Sequence, residues 1–422
     1  MKKVLFLLLL MSFVLCQTIM IPSSVGTAGT IATIARGDEV IGYNPANLGF
    51  RDNPDFSMSF GVIPILPIPS LNLVNNAVSM DWFADYLFSG EYLDNAKKDK
   101  MLDAFGDDGW ELNPVAYAKI IGISSGDFAF SIGAEINSDV TLPTSILRLA
   151  FFGNQFEEEI SLDQVDGSAQ FVIPFSLSYG SPLRLSNVDL GFDNYLGFGI
   201  KLLWGVGHGE VVDFEGGLTT FKDRIVGVGT GKYRYSYDGF GLAFDIGWAA
   251  KFNDKMTVNL SLQNLFGYIN WSDKNTEISE FNFDADLEVS DDFEEIEELF
   301  SESDTTYAGK GYQSDYPTYL VLGFQYDVIP NIELLFNYRQ YFNEEYQFST
   351  SPRISVGSQL YAAKWFPVRA GLSFGGFEKF QVGLGFGFHG KHYQIDFGIS
   401  QTGGFFNSAR GIGFAIGQKL LF

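Results

Sequence analysis

The chain is poor in cysteine, histidine and positive charge. Its one cysteine, Cys16, ends an N-terminal apolar run, so a chain cut after it carries no disulfide and no thiol chemistry. Three histidines, His208, His389 and His392, offer little for acid–base catalysis, and the close spacing of the last two is only a weak metal hint. No P-loop, nucleophile elbow or metalloprotease motif occurs, so neither an enzyme nor a cofactor is motivated. Lys and Arg number 27 against 51 Asp and Glu. The resulting net charge of −24 argues against nucleic acid as a partner. Beyond the leader no stretch reaches the ~18 consecutive apolar residues of a transmembrane helix. Any membrane-spanning part must then be a closed barrel, because open strands leave backbone groups unsatisfied in lipid.

The leader itself reads as a signal peptide over residues 1–16. Lys2 and Lys3 precede the run Val4 to Leu15, which is too short to span a bilayer as a helix. Val14 and Cys16 fit the positions before a cleavage point, which makes Gln17 the expected mature start; a lipidated Cys16 is the alternative.

What the chain has in quantity is Gly (47), Phe (42) and Tyr (20). Together with alternating patterns they predict an all-β protein, a transmembrane antiparallel β-barrel of about 14 strands. The strands read as 54–63, 112–123, 127–138, 169–180, 193–206, 239–251, 255–266, 317–327, 331–342, 352–362, 367–375, 379–389, 391–400 and 410–422. Twelve to sixteen strands is the range the pattern allows, since 207–238 has room for a further hairpin. Long connections at 64–111, 139–168, 207–238 and 267–316 alternate with short turns such as Pro330–Asn331 and Gly390. Long loops outside and short turns inside is the outer-membrane arrangement. The two strand faces differ: Phe380, Val382, Leu384, Phe386 and Phe388 alternate with Gln381, Gly383, Gly385, Gly387 and His389. A soluble β-protein would carry many Lys and Glu on its polar face. Here that face is mostly Gly, Ser, Asn and Gln, which suits a lumen filled by other protein.

The last stretch alternates Ile412, Phe414 and Ile416 with Gly411, Gly413, Ala415 and Gly417, and ends on Phe422. It resembles the terminal strand that bacterial outer-membrane barrels present to their insertion machinery. That resemblance implies an outer-membrane location, contact with outer-membrane lipids and Phe422 as the sorting residue. The small residues on that strand are expected to give clearance to a plug.

Residues 17–53 do not read as a strand. A small-residue stretch, Ser23 to Arg36, precedes Gly37-Asp38-Glu39 and then Asn44-Pro45-Ala46-Asn47-Leu48. The Asn before Pro favours an extended or turn entry. This segment resembles the N-terminus of the FadL/TodX superfamily of outer-membrane transporters, and PorV-like barrels of a bacterial secretion system look similar here too. The resemblance implies a hatch at 17–53 inside a barrel at 54–422. It also implies passive uptake of small hydrophobic molecules such as fatty acids. A PorV-like role in binding or assembling secreted proteins, or a purely structural barrel, is the alternative.

Three further sets carry chemistry. Inward-facing charges are expected at Glu135, Asp245, Glu333, Arg339, Arg353, Arg369 and Asp396, either anchoring the plug or positioning a polar head group. Trp82, Phe83, Tyr86 and Leu87 stand in partly helical spacing in the first long connection, as packing over the mouth or as a docking groove for an apolar ligand. Asp284, Asp286, Glu288, Asp292 and Glu295 match calcium-loop positions, but Val289 replaces the required Gly. The bland reading is a solvated acidic loop with Ser290 capping a short helix. It fits better, and no metal site is expected.

Overall fold

The computed structural model describes residues 21–60, 70–82, 85, 94–107, 109–153, 156–161, 163, 165–183, 191–253, 255–288, 304–344, 346 and 348–422. The signal-peptide reading and the 290–300 helix fall outside them. Fourteen antiparallel strands form one closed ring. β1 is described in two pieces, Phe56–Phe60 and Ser70–Asn75, both lying between the same neighbours. β2 (Trp110–Ser125), β3 (Phe128–Leu142), β4 (Asp166–Pro182) and β5 (Asp193–Thr220) follow. Then come β6 (Arg224–Phe252), β7 (Met256–Trp271), β8 (Tyr319–Ile329), β9 (Ile332–Tyr341) and β10 (Arg353–Ala363). β11 (Phe366–Gly375), β12 (Phe380–His389), β13 (Tyr393–Thr402) and β14 (Gly411–Leu421) complete the set. Each strand pairs with its neighbour in sequence. The ring closes where Ser57 meets Leu421 and Val74 meets Gly411. Phe56 and Phe422 exchange backbone hydrogen bonds of 3.2 and 3.0 Å at the seam. Closure removes the free edges that an open sheet would expose.

The alternation sorts the faces. Phe128, Phe374 and Leu384 are each more than half exposed on the outside, while Ala129, Ser131, Ser373 and Gly383 face in. A continuous band of exposed apolar side chains would be costly in water and is favourable against hydrocarbon. No helix among the described residues is long and apolar enough to cross a membrane.

The two ends differ. At one, the turns are short: Ile329 and Ile332 pair across a two-residue turn, and Gly390 donates to Tyr393 O at 2.8 Å. At the other, the chain builds outward. β5 and β6 run on past the ring as a long hairpin, still paired from Gly209–Tyr235 to Thr220–Ile225. Strand Thr276–Glu288 lies along the β6 tip, strand Asp304–Ala308 adds to it, and Glu159–Ser161 flanks the β5 tip. The connection at 207–238, expected as a long loop with room for a hairpin, is instead the continuation of two barrel strands. Helices α2 (Asn95–Phe105) and α3 (Thr144–Phe152) pack at the same end, with the Asp94 carboxylate capping α2 at Lys97 N, 2.9 Å. The short helix α1 (Pro22–Gly26) lies within the ring, against β11 to β14.

Candidate functional site

Residues 21–50 fill the lumen. They form α1 and two 3₁₀ turns, Gly37–Val40 and Pro45–Gly49, joined by irregular chain, and nearly all are buried. Buried irregular backbone needs partners for its carbonyls. The wall supplies them from polar side chains on the inner face. Asn259 donates to Ala32 O (2.5 Å), Ser261 and Gln263 to Tyr43 O (2.5 and 3.2 Å), and the Tyr319 hydroxyl to Gly42 O (2.8 Å). Asn337 donates to Gly29 O (3.0 Å), Arg353 to Ala28 O (3.4 Å) and Lys419 to Arg36 O (2.9 Å). The seat runs round the whole ring. α1 lies on β11 to β14, the first 3₁₀ turn on β1 to β3, and the second on β4 to β6. The hydrogen bonds just named add β7 to β10, so all fourteen strands touch this segment.

Asn44 organises the second turn. Its backbone is extended (φ −155°, ψ 110°), as a residue before Pro45 requires. Its side chain caps Ala46 N at 2.9 Å and donates to Trp248 O at 3.0 Å. Ala46 and Leu48 are buried, and Asn47 donates to Ala32 O at 2.7 Å, tying the two halves of the segment together. One contact depends on the absence of side chains. A Cβ on Gly26 would lie 2.9 Å from the Gly385 Cα, so two glycine backbones touch where α1 meets β12.

Asp38 is the most enclosed charge. It is fully buried, 2.6 Å from Lys119 Nζ, and it accepts hydrogen bonds from Ser57 (3.4 Å) and Ser59. Burial pushes its carboxyl up; Lys119, Lys419 and the hydrogen bonds from Lys119 and Ser59 outweigh that and hold it at about 2. Lys419 also meets Glu39 at 3.4 Å.

The seven expected lumen charges all lie on the inner face, and most are paired. Asp245 meets Lys201 at 3.0 Å and Arg369 meets Asp396 at 2.5 Å. His389 also bonds Asp396, at 3.1 Å. Arg353 meets Glu378 at 2.6 Å, and Glu135 accepts from the Tyr316 hydroxyl at 2.7 Å. Arg339 and Arg353 are direct cross-strand partners, both buried, and Arg339 lies 5.4 and 6.0 Å from the Tyr319 and Tyr43 rings. Glu333 accepts one hydrogen bond, from Gln359 at 2.9 Å. Asp38, Lys119, Lys201, Glu378 and Lys419 were absent from the expected set. Lys119 and Lys201 are each the one Lys or Arg of their strand, a signal that points to an inward ion pair.

At the loop end, Val78, Leu102, Phe105 and Leu147 form an apolar cluster with Trp82, Trp110 and Phe151 against it. Trp82 stacks edge-on to Phe105 at 5.8 Å; Phe83, Tyr86 and Leu87 lie outside the described residues. The calcium-loop candidate is not looped where it is described. Asp284, Asp286 and Glu288 fall in the extended strand Thr276–Glu288, paired with Val228, Val226 and Arg224. In a strand these three residues share one face but stand about 7 Å apart along it, so they cannot wrap one cation as the template demands. Asp286 instead meets Arg224 at 3.5 Å. Asp292 and Glu295 lie outside the described residues. No cluster of three or more metal-ligating side chains occurs among the described residues.

Two cavities border the plug. One of about 50 Å³ lies beside Ile21, Pro22, Phe60, Ser70 and Ile416. The other, about 380 Å³, opens at the turn end.

The site is thus built on a closed ring of fourteen strands around an N-terminal plug. Several solved structures match this fold almost end to end. The Ralstonia pickettii toluene transporter TbuX is 14% identical, with 96% of this chain and 98% of that one covered at a TM-score of 0.52. A Pseudomonas aeruginosa FadL homologue is 12% identical, with 97% and 99% covered at 0.53. The P. putida toluene transporter TodX is 12% identical, with 96% and 98% covered at 0.52. At such identity the shared property is the FadL/TodX fold. Residues 227–399 match a family of unknown function, DUF5723. No curated protein matches the sequence.

Proposed function

We propose that this protein is a passive outer-membrane channel for small hydrophobic molecules such as fatty acids. The reading takes residues 1–16 as a removed signal peptide and Phe422 as the residue met by the barrel-insertion machinery. It takes residues 17–53 as a movable hatch. The observation that carries it is the plug seated on all fourteen strands mainly through single neutral hydrogen bonds. Each such bond contributes only about 1 kcal/mol net, so the plug can shift piecewise without stranding many charges. An apolar cargo would first meet the Trp82–Phe105 cluster at the loop end. The buried Arg339–Arg353 pair would face a carboxylate head group on the way in. The toluene transporters with this fold make small aromatic hydrocarbons a second cargo for the same test.

The test is uptake of labelled long-chain fatty acid and of toluene by cells with no copy, the intact chain, or a chain lacking residues 17–50. Faster entry through the intact chain supports the reading. Equal entry with and without the protein would overturn it.

The sheet standing beyond the ring favours a second reading, a PorV-like partner for secreted proteins. Its outer strand, Asp304–Ala308, pairs on one side only among the described residues. Mild extraction followed by mass spectrometry separates the two: bound lipid supports transport, a stably attached protein supports the partner role.

A further inference from the structure

The cavity of about 380 Å³ at the turn end has one matched wall and one unmatched wall. On the first, Arg36 faces Asp52, Lys419 faces Glu39, and Arg369 faces Asp396. On the second, Glu333 of β9 lines the cavity and stands directly across from Asp327 of β8, which does not itself line it. Residues directly opposite on neighbouring antiparallel strands share a face, and like charges so placed repel. No Lys or Arg nitrogen lies within 4.0 Å of either carboxylate among the described residues. Glu333 has one side-chain donor, Gln359 Nε2 at 2.9 Å.

Gln325 adds an independent sign. It lines the same cavity and is only 7% exposed. Its Nε2 donates to Asp327 Oδ1 at 2.9 Å, which fixes the amide, because the flipped form would set its oxygen against a carboxylate. Its Oε1 is buried and meets no donor. A buried acceptor without a donor is costly, and structures seldom leave one unexplained. Two carboxylates and an orphaned amide oxygen thus ask for positive charge and for N–H groups together.

We propose that the Gln325–Glu333 corner of the turn-end cavity, backed by Asp327, binds a small organic cation bearing an ammonium group. An ammonium carries three N–H donors, enough to serve both the Glu333 carboxylate and the Gln325 oxygen. A metal ion fits less well: Glu333 is the one carboxylate of this wall that lines the cavity, and the space is roughly ten times the ~30 Å³ share of one water. The rest of the cavity suits an organic body. Ile31, Ile34 and Ala35 of the plug line it, with the Tyr361 ring opposite. The ligand is therefore an amphipathic amine, its nitrogen at Glu333 and its hydrocarbon against the isoleucines. This site stands whether or not the chain transports hydrophobic cargo, since it needs only equilibrium binding.

The test is calorimetric titration of the full chain in neutral detergent with benzylammonium, benzyl alcohol and calcium as three separate probes. Saturable benzylammonium binding is expected, weakened about tenfold or more for benzyl alcohol and for Glu333→Gln. Gln325→Leu, which removes the orphaned oxygen, should weaken it as well, and Asp286→Asn on the distant outer sheet should leave it unchanged. Thermal melts verify that each variant folds, and benzyl alcohol on the unaltered chain reads the charge requirement without any substitution. No saturable benzylammonium binding, equal binding of benzyl alcohol, or equal binding by Glu333→Gln would overturn the site. Calcium binding that depends on Glu333 while benzylammonium fails to bind would overturn the organic-cation assignment.

Discussion

At the scale of single residues, Asp38 does most to fix the plug. A carboxylate with no exposure is tolerable only because Lys119 neutralises it and serine hydroxyls complete its hydrogen bonds. Asp38→Asn keeps the shape but leaves Lys119 without its counter-charge. Removing one partner of a buried pair costs about 3–5 kcal/mol, so the variant should melt measurably lower in detergent and lose protease protection of residues 21–50. Replacing both partners, as Asp38→Asn with Lys119→Met, should recover part of the loss. Protonation reaches the same point by another route. The Asp38 carboxyl titrates at about 2 when folded against 3.8 ordinarily, so folding favours its charged form. Its contribution is complete above pH 3.8 and drains away as the pH falls toward 2, on the order of 2 kcal/mol. Melts between pH 5 and pH 2 should show that decline, and Asp38→Asn should flatten it. The sequence did not disclose this pair. The two residues are 81 positions apart, and only the register of β2 against the plug brings them together. A lone Lys on the inner face of a strand says that an acid is needed somewhere, not which one.

At the scale of elements, the strands were legible and the parts beyond the ring were not. The expected 379–389 and 391–400 stand beside the observed Phe380–His389 and Tyr393–Thr402. Such agreement has a physical origin. Within the band, one face must be apolar and the other small or polar, so period two is written into every strand. Past the band that rule lapses. The β5 and β6 tips carry Glu210, Asp213, Glu215, Lys232 and Arg234 mixed with Val211, Val212 and Val228, and read as a long loop with room for a hairpin. Within the plug, the turn at Asn44-Pro45 was legible because Pro restricts its predecessor. The wall donors that hold it were not, since their partners lie hundreds of residues away. The tip makes a prediction of its own. Among the described residues, 213–230 pair with each other, with Gly231 and Lys232 of β6 and with the accessory strands, and with no other barrel strand. Replacing them with a two-residue Asn-Gly turn should leave the barrel melting temperature within a few degrees of the parent, because no ring contact is lost. A protein partner held by the outer sheet should be lost in that variant, which pull-down would read.

At the scale of the whole molecule, the interior and the ring are one structure. The plug spans the cross-section, and its carbonyls are the acceptors for donors on the wall. A ring without its plug would leave inward Asn, Ser and Gln side chains to water, and a plug without its ring would lose its hydrogen-bond partners. This mutual dependence sets an order of events. A segment touching strands on every side has no wide opening through which to enter once Phe56 and Phe422 have joined. It has to be in place while the ring is still open. Refolding residues 54–422 into detergent micelles should therefore incorporate a separate peptide of residues 21–50 when it is present from the start. Adding it an hour after folding should give no protease-protected peptide. Equal protection in both orders would show that the ring opens readily enough to admit it. The chain runs in the sequence this timing requires, with the plug nearest the N-terminus and the closing strand last. The seam at Phe422 is thus also a clock: the moment it forms, whatever the barrel holds is inside.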